Sequence, residues 1–159
     1  MKPNVLQHQY AITDSRDKEC ILSTKGICIC SGWYGWDSKN KIYFLCHFDS
    51  PFSANSTPNI IKEILKYAPN EHSFKSILVG GKRRFWSKCT RNIVKQYVNG
   101  QNELNIVVRD GPFDNGCAKR DLVISSQRGR ITNQKLEGKS YLDGFCWFLG
   151  PMERVEVNS

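Results

Sequence analysis

An α+β domain, a layered α/β/β sandwich with mixed sheets and two main helices, is the fold this sequence predicts. Three observations carry the prediction. Alternating apolar and β-branched runs fill the first third of the chain, two later segments repeat apolar residues at helical spacing, and short strand-like runs divided by turn residues resume after position 100. A length of 159 residues suits one domain, 1–159, large enough to bury a core without cross-links.

Tyr10-Ala11-Ile12-Thr13 opens as a strand, and Asp14 to Lys18 is a polar turn. Glu19 to Cys30 reads as strand, an interruption containing Gly26, then strand. Trp33 to Asn40 is turn-rich. Lys41 to Phe48 carries the aromatic and β-branched content of a strand, so Ile27–Trp33 and Lys41–Phe48 are expected to form an antiparallel hairpin. Thr57 as N-cap and Pro58 in the first turn start a helix whose apolar stripe is Ile60, Ile61, Ile64, Leu65 and Ala68. Ser76–Val79 is a short buried strand ending in Gly80-Gly81. Cys89, Ile93, Val94, Tyr97 and Val98 share the face of a second helix, stopped in left-handed geometry by Asn99-Gly100. Leu104–Val108 and Leu122–Ser125 are strands. Gln127-Arg128-Gly129-Arg130 is a hairpin turn, and Tyr141–Leu149 is a final aromatic segment.

The composition excludes several classes. With 40% hydrophobic and 24% charged residues the chain is not disordered, and no apolar run approaches the ~20 residues of a membrane span. MKPNVLQHQY has no apolar core of a secretory signal, so a cytoplasmic location is expected. The net charge of +8 is uneven. Residues 1–80 hold nine basic and seven acidic side chains, residues 81–159 fourteen and eight. Seven cysteines, an odd number with no CxxC pair, indicate free thiols in a reducing compartment rather than a disulfide scaffold.

Reactive side chains concentrate in the first hairpin. If Ser38-Lys39 forms a two-residue loop, Cys30 lies opposite His47, on the same face and within ~5 Å between Cβ atoms. Moving the turn to Asp37-Ser38 puts Cys28 there instead, and spacing alone leaves the choice open. A thiol beside an imidazole is the minimal unit of a cysteine nucleophile, because the imidazole lowers the thiol pKa and relays protons. A metal site from Cys28, Cys30, Cys46 and His47 is disfavoured. Cys46 and His47, adjacent on a strand, point to opposite faces, and zinc-type spacings are absent.

These spacings resemble the chemoreceptor glutamine deamidase family (CheD-like). Its signature is a Thr six residues before the nucleophilic Cys, an Asp seven residues after it, and a His seventeen residues after it, with Pro four beyond. Thr24, Cys30, Asp37, His47 and Pro51 fall on those positions. Tyr10-Ala11-Ile12, the helix from Pro58, Ile77-Leu78-Val79-Gly80-Gly81 with Phe85, Arg91-Asn92-Ile93, Asn115-Gly116 and the Arg120–Ile131 hairpin follow in family order, covering about residues 10–135. The chain differs in having Cys28 and Ile29 where the family has Gly and Ser, and Lys82-Arg83-Arg84 after the Gly-Gly pair.

The resemblance implies an enzyme that converts protein glutamine side chains to glutamate, and can hydrolyse glutamyl methyl esters, through a cysteine thioester. It implies Cys30, His47 and Thr24 as catalytic residues and Gly26, Ile29, Gly80, Gly81 and Lys82 as the substrate-binding surface. No metal or organic cofactor is called for. The expected partner is a protein presenting a glutamine, chemoreceptor or other, with room for a regulatory protein. The same layout occurs in bacterial toxins that deamidate host proteins, so an effector exported by a non-Sec route is an alternative. A further alternative, without catalysis, is nucleic-acid binding by the basic–aromatic cluster Lys82–Trp86 with Lys88 and Arg91. A docking surface for an acidic protein explains the same charge more simply.

Overall fold

The computed structural model describes residues 4–14, 16, 21–27, 30–81, 85–111, 113, 119–125, 130–136 and 151–157. Along the chain run β1 (Gln9–Asp14), β2 (Ile21–Ile27), β3 (Ser31–Asp37), β4 (Ile42–Phe48), α1 (Pro51–Ala54), α2 (Thr57–Tyr67), β5 (Phe74–Gly80), α3 (Phe85–Asn99), β6 (Ile106–Asp110), β7 (Lys119–Ser125), β8 (Arg130–Leu136) and β9 (Glu153–Arg154). Six strands form one sheet in the order β6-β5-β3-β4-β1-β9, and β2-β7-β8 form a second. The large sheet is mixed: β5–β6 and β1–β9 are parallel, the other pairs antiparallel.

Strand alternation divides the core in two. Trp33, Phe44, Cys46, Phe48 and Leu78 face one way and pack under Ile60, Ile61 and Ile64 of α2 and Val94 and Val98 of α3. Ala11, Tyr34, Tyr43, Leu45 and Val79 face the other way and meet Leu22, Ile27, Leu122 and Ile124 of the small sheet. The layers are therefore helices, large sheet, small sheet, the α/β/β arrangement the sequence predicts. Two-sided burial explains why β4 is apolar or aromatic at nearly every position.

The hairpin differs from its predicted form in two ways. Ile27 does not enter it. It ends β2 in the other sheet, and the hairpin arm begins at Ser31, running through the segment expected to be turn. The loop spans four residues, 38–41, closed by the pair Asp37↔Ile42. Asp37 enforces this length: Oδ1 accepts from the Asn40 backbone N–H at 3.1 Å and Oδ2 from the Asn40 side-chain amide at 2.7 Å, while Lys41 takes a left-handed φ of 54°. The register consequently moves by two, and Gly32, not Cys30, lies opposite His47. An even shift keeps every side chain on its predicted face.

Other details depart similarly. Ser50 caps the single-turn helix α1, which the sequence reading does not foresee, through a reciprocal bond set with Ser53. The N-cap of α2 is Ser56 rather than Thr57, and the Ser56 hydroxyl accepts from Met152 N at 3.0 Å instead of capping. Helix α3 ends at Asn99 as expected, but the left-handed glycines among the described residues are Gly80 and Gly81, not Gly100. Residues 127–129 of the predicted turn lie outside the described residues, though β7 and β8 flank it in antiparallel register. Tyr141–Leu149 also lies outside them. Among the described residues no helix is long and apolar enough to cross a membrane.

Candidate active site

His47 occupies the last turn of pleat on β4, on the face directed at the small sheet, and the chain arranges both of its ring nitrogens differently. Thr24, on β2, reaches across from the small sheet so that Oγ1 lies 2.8 Å from His47 Nδ1. The same hydroxyl donates to the Val5 carbonyl at 2.6 Å. A hydroxyl has one proton, so with Val5 receiving it, Oγ1 accepts from Nδ1–H. This fixes the tautomer: Nδ1 carries the proton and Nε2 keeps a lone pair. Nε2 is buried and has no hydrogen-bond partner among the described residues.

The environment holds this imidazole neutral. Burial pushes the His47 pKa down to about 4, against the opposing pull of the Asp49 carboxylate and the Val5 carbonyl. Asp49 is itself buried, accepts from the Ser50 hydroxyl at 3.1 Å, and lies 4.0 Å from Nδ1 of His8. His8 is 5% exposed, adopts a left-handed φ of 67°, and donates its backbone N–H to the His47 carbonyl at 3.0 Å. Neither His8 nor His72 is exposed, although both fall in polar stretches of the sequence. His72 is partly buried, its ring nitrogens 2.7 Å from the Pro69 carbonyl and 2.9 Å from the Glu103 carbonyl. Asp49 had a legible signal, since it lies two residues past His47 and so shares its strand parity. His8 had none.

Cys30 sits at a bend where the chain leaves the small sheet and enters β3. It is 7% exposed and belongs to the apolar cluster between the sheets, with Ile27, Leu45, Val79 and Leu122. Extending the β3–β4 register by one step places it diagonal to His47 on the same face, where Cβ atoms are ~7 Å apart in a regular ladder. The structure brings Thr24 and His47 into contact, while Cys30 lies in the apolar cluster between the same two sheets, one step beyond the end of the β3–β4 ladder and not opposite His47 as predicted. No hydrogen bond joins the thiol to Nε2.

Gly80 and Gly81 wall this region. Ser31 pairs with Gly80, and both glycines have positive φ, 77° and 73°. A Cβ on Gly80 would lie 3.1 Å from the Cys30 carbonyl oxygen and 2.3 Å from Ile27 Cγ2. Gly26 falls in the irregular part of β2, where the β2–β7 register shifts between Thr24 and Ile27. Ile29 and Lys82, with Cys28, lie outside the described residues. Asp37 is not in the site; it is at the far end of β3, in the hairpin clamp. A cleft of about 610 Å³ at that same far end, lined by Trp36, Asn40, His72 and Glu103 among others, is likewise remote from His47. Among the described residues no cluster of three or more His, Cys, Asp or Glu is placed to hold a metal.

Of the other thiols, Cys46 points to the opposite face from His47, into the helix-side core, where burial drives its pKa well up. Cys89, on α3, is half-buried. No protein-family model matches the chain, and no curated protein matches it at a significant level.

Proposed function

We propose that this chain is a cysteine-dependent protein-glutamine deamidase of the CheD-like kind. The observation that carries the proposal is the bond between Thr24 and His47 Nδ1, because it leaves a bare Nε2 as proton acceptor on the face that also carries Cys30.

The chemistry follows from that tautomer. The Cys30 thiol gives its proton to Nε2 and its sulfur forms a bond to the carbon of the substrate carboxamide. The imidazolium so formed is held by the Thr24 hydroxyl and the Val5 carbonyl at Nδ1 and by the buried negative charge of Asp49. Nε2 returns the proton to the departing nitrogen, the C–N bond breaks, and ammonia leaves a thioester on Cys30. Water then gives a proton to Nε2 and attacks the thioester carbon; the C–S bond breaks and the sulfur takes that proton back. The products are glutamate and ammonia, and no redox partner is required. The substrate is a protein, whose glutamine enters as an extended side chain beside the glycine corner.

The test is ammonia release from a blocked Gln-Gly dipeptide, together with intact-mass analysis of a glutamine-rich unfolded polypeptide such as casein, where each event adds about one dalton. Wild-type protein is expected to produce both signals and Cys30→Ala neither. Full activity in Cys30→Ala with loss in Cys28→Ala would reassign the nucleophile, and inactivity of wild type on both substrates at high enzyme concentration counts against the proposal.

A further inference from the structure

Arg91 is a buried cation that the proposed chemistry does not use. It lies on α3 with 1% of its surface exposed. Nη2 donates to the Gly80 carbonyl at 2.6 Å, Nη1 donates to the Gly111 carbonyl at 2.7 Å, and the guanidinium carbon stands 3.9 Å from the centre of the Phe113 ring. Taking a guanidinium out of water is costly, and an aliphatic side chain would anchor α3 to the sheet without that cost. The two carbonyls show what the charge achieves. They belong to Gly80, the last residue of β5, and Gly111, the first residue past β6, and these strands are already tied together by Gly111 N–H donating to the Leu78 carbonyl at 2.7 Å. A planar fork with two donor arms matches two carbonyls diverging from neighbouring strands, which a lysine cannot reproduce.

Gly80 is also the residue that abuts Cys30. Its left-handed backbone turns the strand end towards the Cys30 carbonyl, and the missing side chain is what lets the two segments approach. Arg91 therefore grips one side of a corner whose other side touches the nucleophile's backbone. We infer that Arg91 is a positioning residue for Cys30: by holding the Gly80 carbonyl it fixes the Gly80–Gly81 corner against the Cys30 segment and so aims the thiol at His47. This rests on Cys30 being the nucleophile.

The experiment measures iodoacetamide alkylation of Cys30 and Cys89 in the same sample by peptide mass spectrometry, for wild type, Arg91→Lys and Arg91→Gln. It is run across neutral to mildly alkaline pH at a temperature well below each variant's unfolding. Cys89 is the internal reference because it sits on α3 two residues from Arg91 and reports any loosening of the helix. In wild type, Cys30 is expected to react faster than Cys89 at neutral pH. Arg91→Lys should slow Cys30 roughly tenfold, as small misplacements of a reacting group do, and move its pH profile towards that of an ordinary thiol, with Cys89 unchanged; Arg91→Gln should slow it further. A fast wild-type Cys30 whose rate neither variant alters overturns the role of Arg91 alone. Equal changes at Cys30 and Cys89 overturn it too, since they mean general loosening. A wild-type Cys30 no faster than Cys89 instead removes the nucleophile on which the inference rests.

Discussion

The Thr24 hydroxyl and His47 Nδ1, 2.8 Å apart, join two different sheets across the buried seam between them. The bond is between fully enclosed groups, so it both orients the imidazole and decides which nitrogen is basic. Thr24→Val keeps the shape and removes the hydroxyl, leaving the Nδ1–H donor and the Val5 carbonyl acceptor without the group that bridges them. The expected loss is about 1–3 kcal/mol of stability and at least tenfold in ammonia release, with Thr24→Ser recovering most of both. Urea denaturation and the dipeptide assay check the two effects separately.

Protonation of His47 opposes folding. Its folded pKa of about 4 lies below the ordinary histidine value near 6.5, so the unfolded chain binds this proton more readily. The contribution is fully present above pH ~6.5 and is lost as pH falls from there through about 4, amounting to roughly 3 kcal/mol. His47→Gln should flatten stability across that window. Thermal unfolding of both proteins at a series of pH values measures it, and parallel curves would show that His47 is not the group responsible.

Gly80→Ala places a side chain in left-handed backbone and against Ile27 Cγ2 at 2.3 Å. The conformational penalty alone is about 1–2 kcal/mol, and the overlap adds to it because Ile27 is fully buried. A loss of at least about 2 kcal/mol in denaturant unfolding is expected.

Asp37 shares the spacing of the family signature but stands at the wrong end of the strand to act on a substrate at His47. Burial alone would raise its carboxyl pKa; hydrogen bonds from Ser73 N–H and from Asn40 outweigh that and hold it below the usual carboxylate range. Asp37→Ala should cost about 2–3 kcal/mol and leave the rate of ammonia release per folded molecule unchanged. In wild type the stability supplied by this carboxylate is present above its ordinary pKa and disappears as pH falls through the lower folded value, a window beneath that of His47.

Much of this was legible in the sequence. Period-2 and period-3.6 patterns identified β1, β4, β5, α2 and α3, since each buries a continuous face. The Thr24–His47 relation was legible only through the family spacing, because it links strands of separate sheets and no local pattern records such a contact. The hairpin register was misjudged because it is set by Asp37 bonding to Asn40, a side chain closing a four-residue loop that resembles a shorter one in sequence. Gly26 and Ile27 read as an interruption followed by a new strand, whereas the chain completes β2 there and changes sheet before Ser31. His8 was hidden for a different reason: its burial is created by β4 and Asp49, far along the chain.

The protonation state of the His47 ring is the most direct test, read from nitrogen-15 chemical shifts of the imidazole before and after alkylation of Cys30. The proposed chemistry requires a proton on Nδ1, a bare Nε2 from mildly acidic to mildly alkaline pH, and a clear change at Nε2 when the Cys30 sulfur is capped. A proton resident on Nε2, or an Nε2 resonance indifferent to what is attached to Cys30, would contradict it.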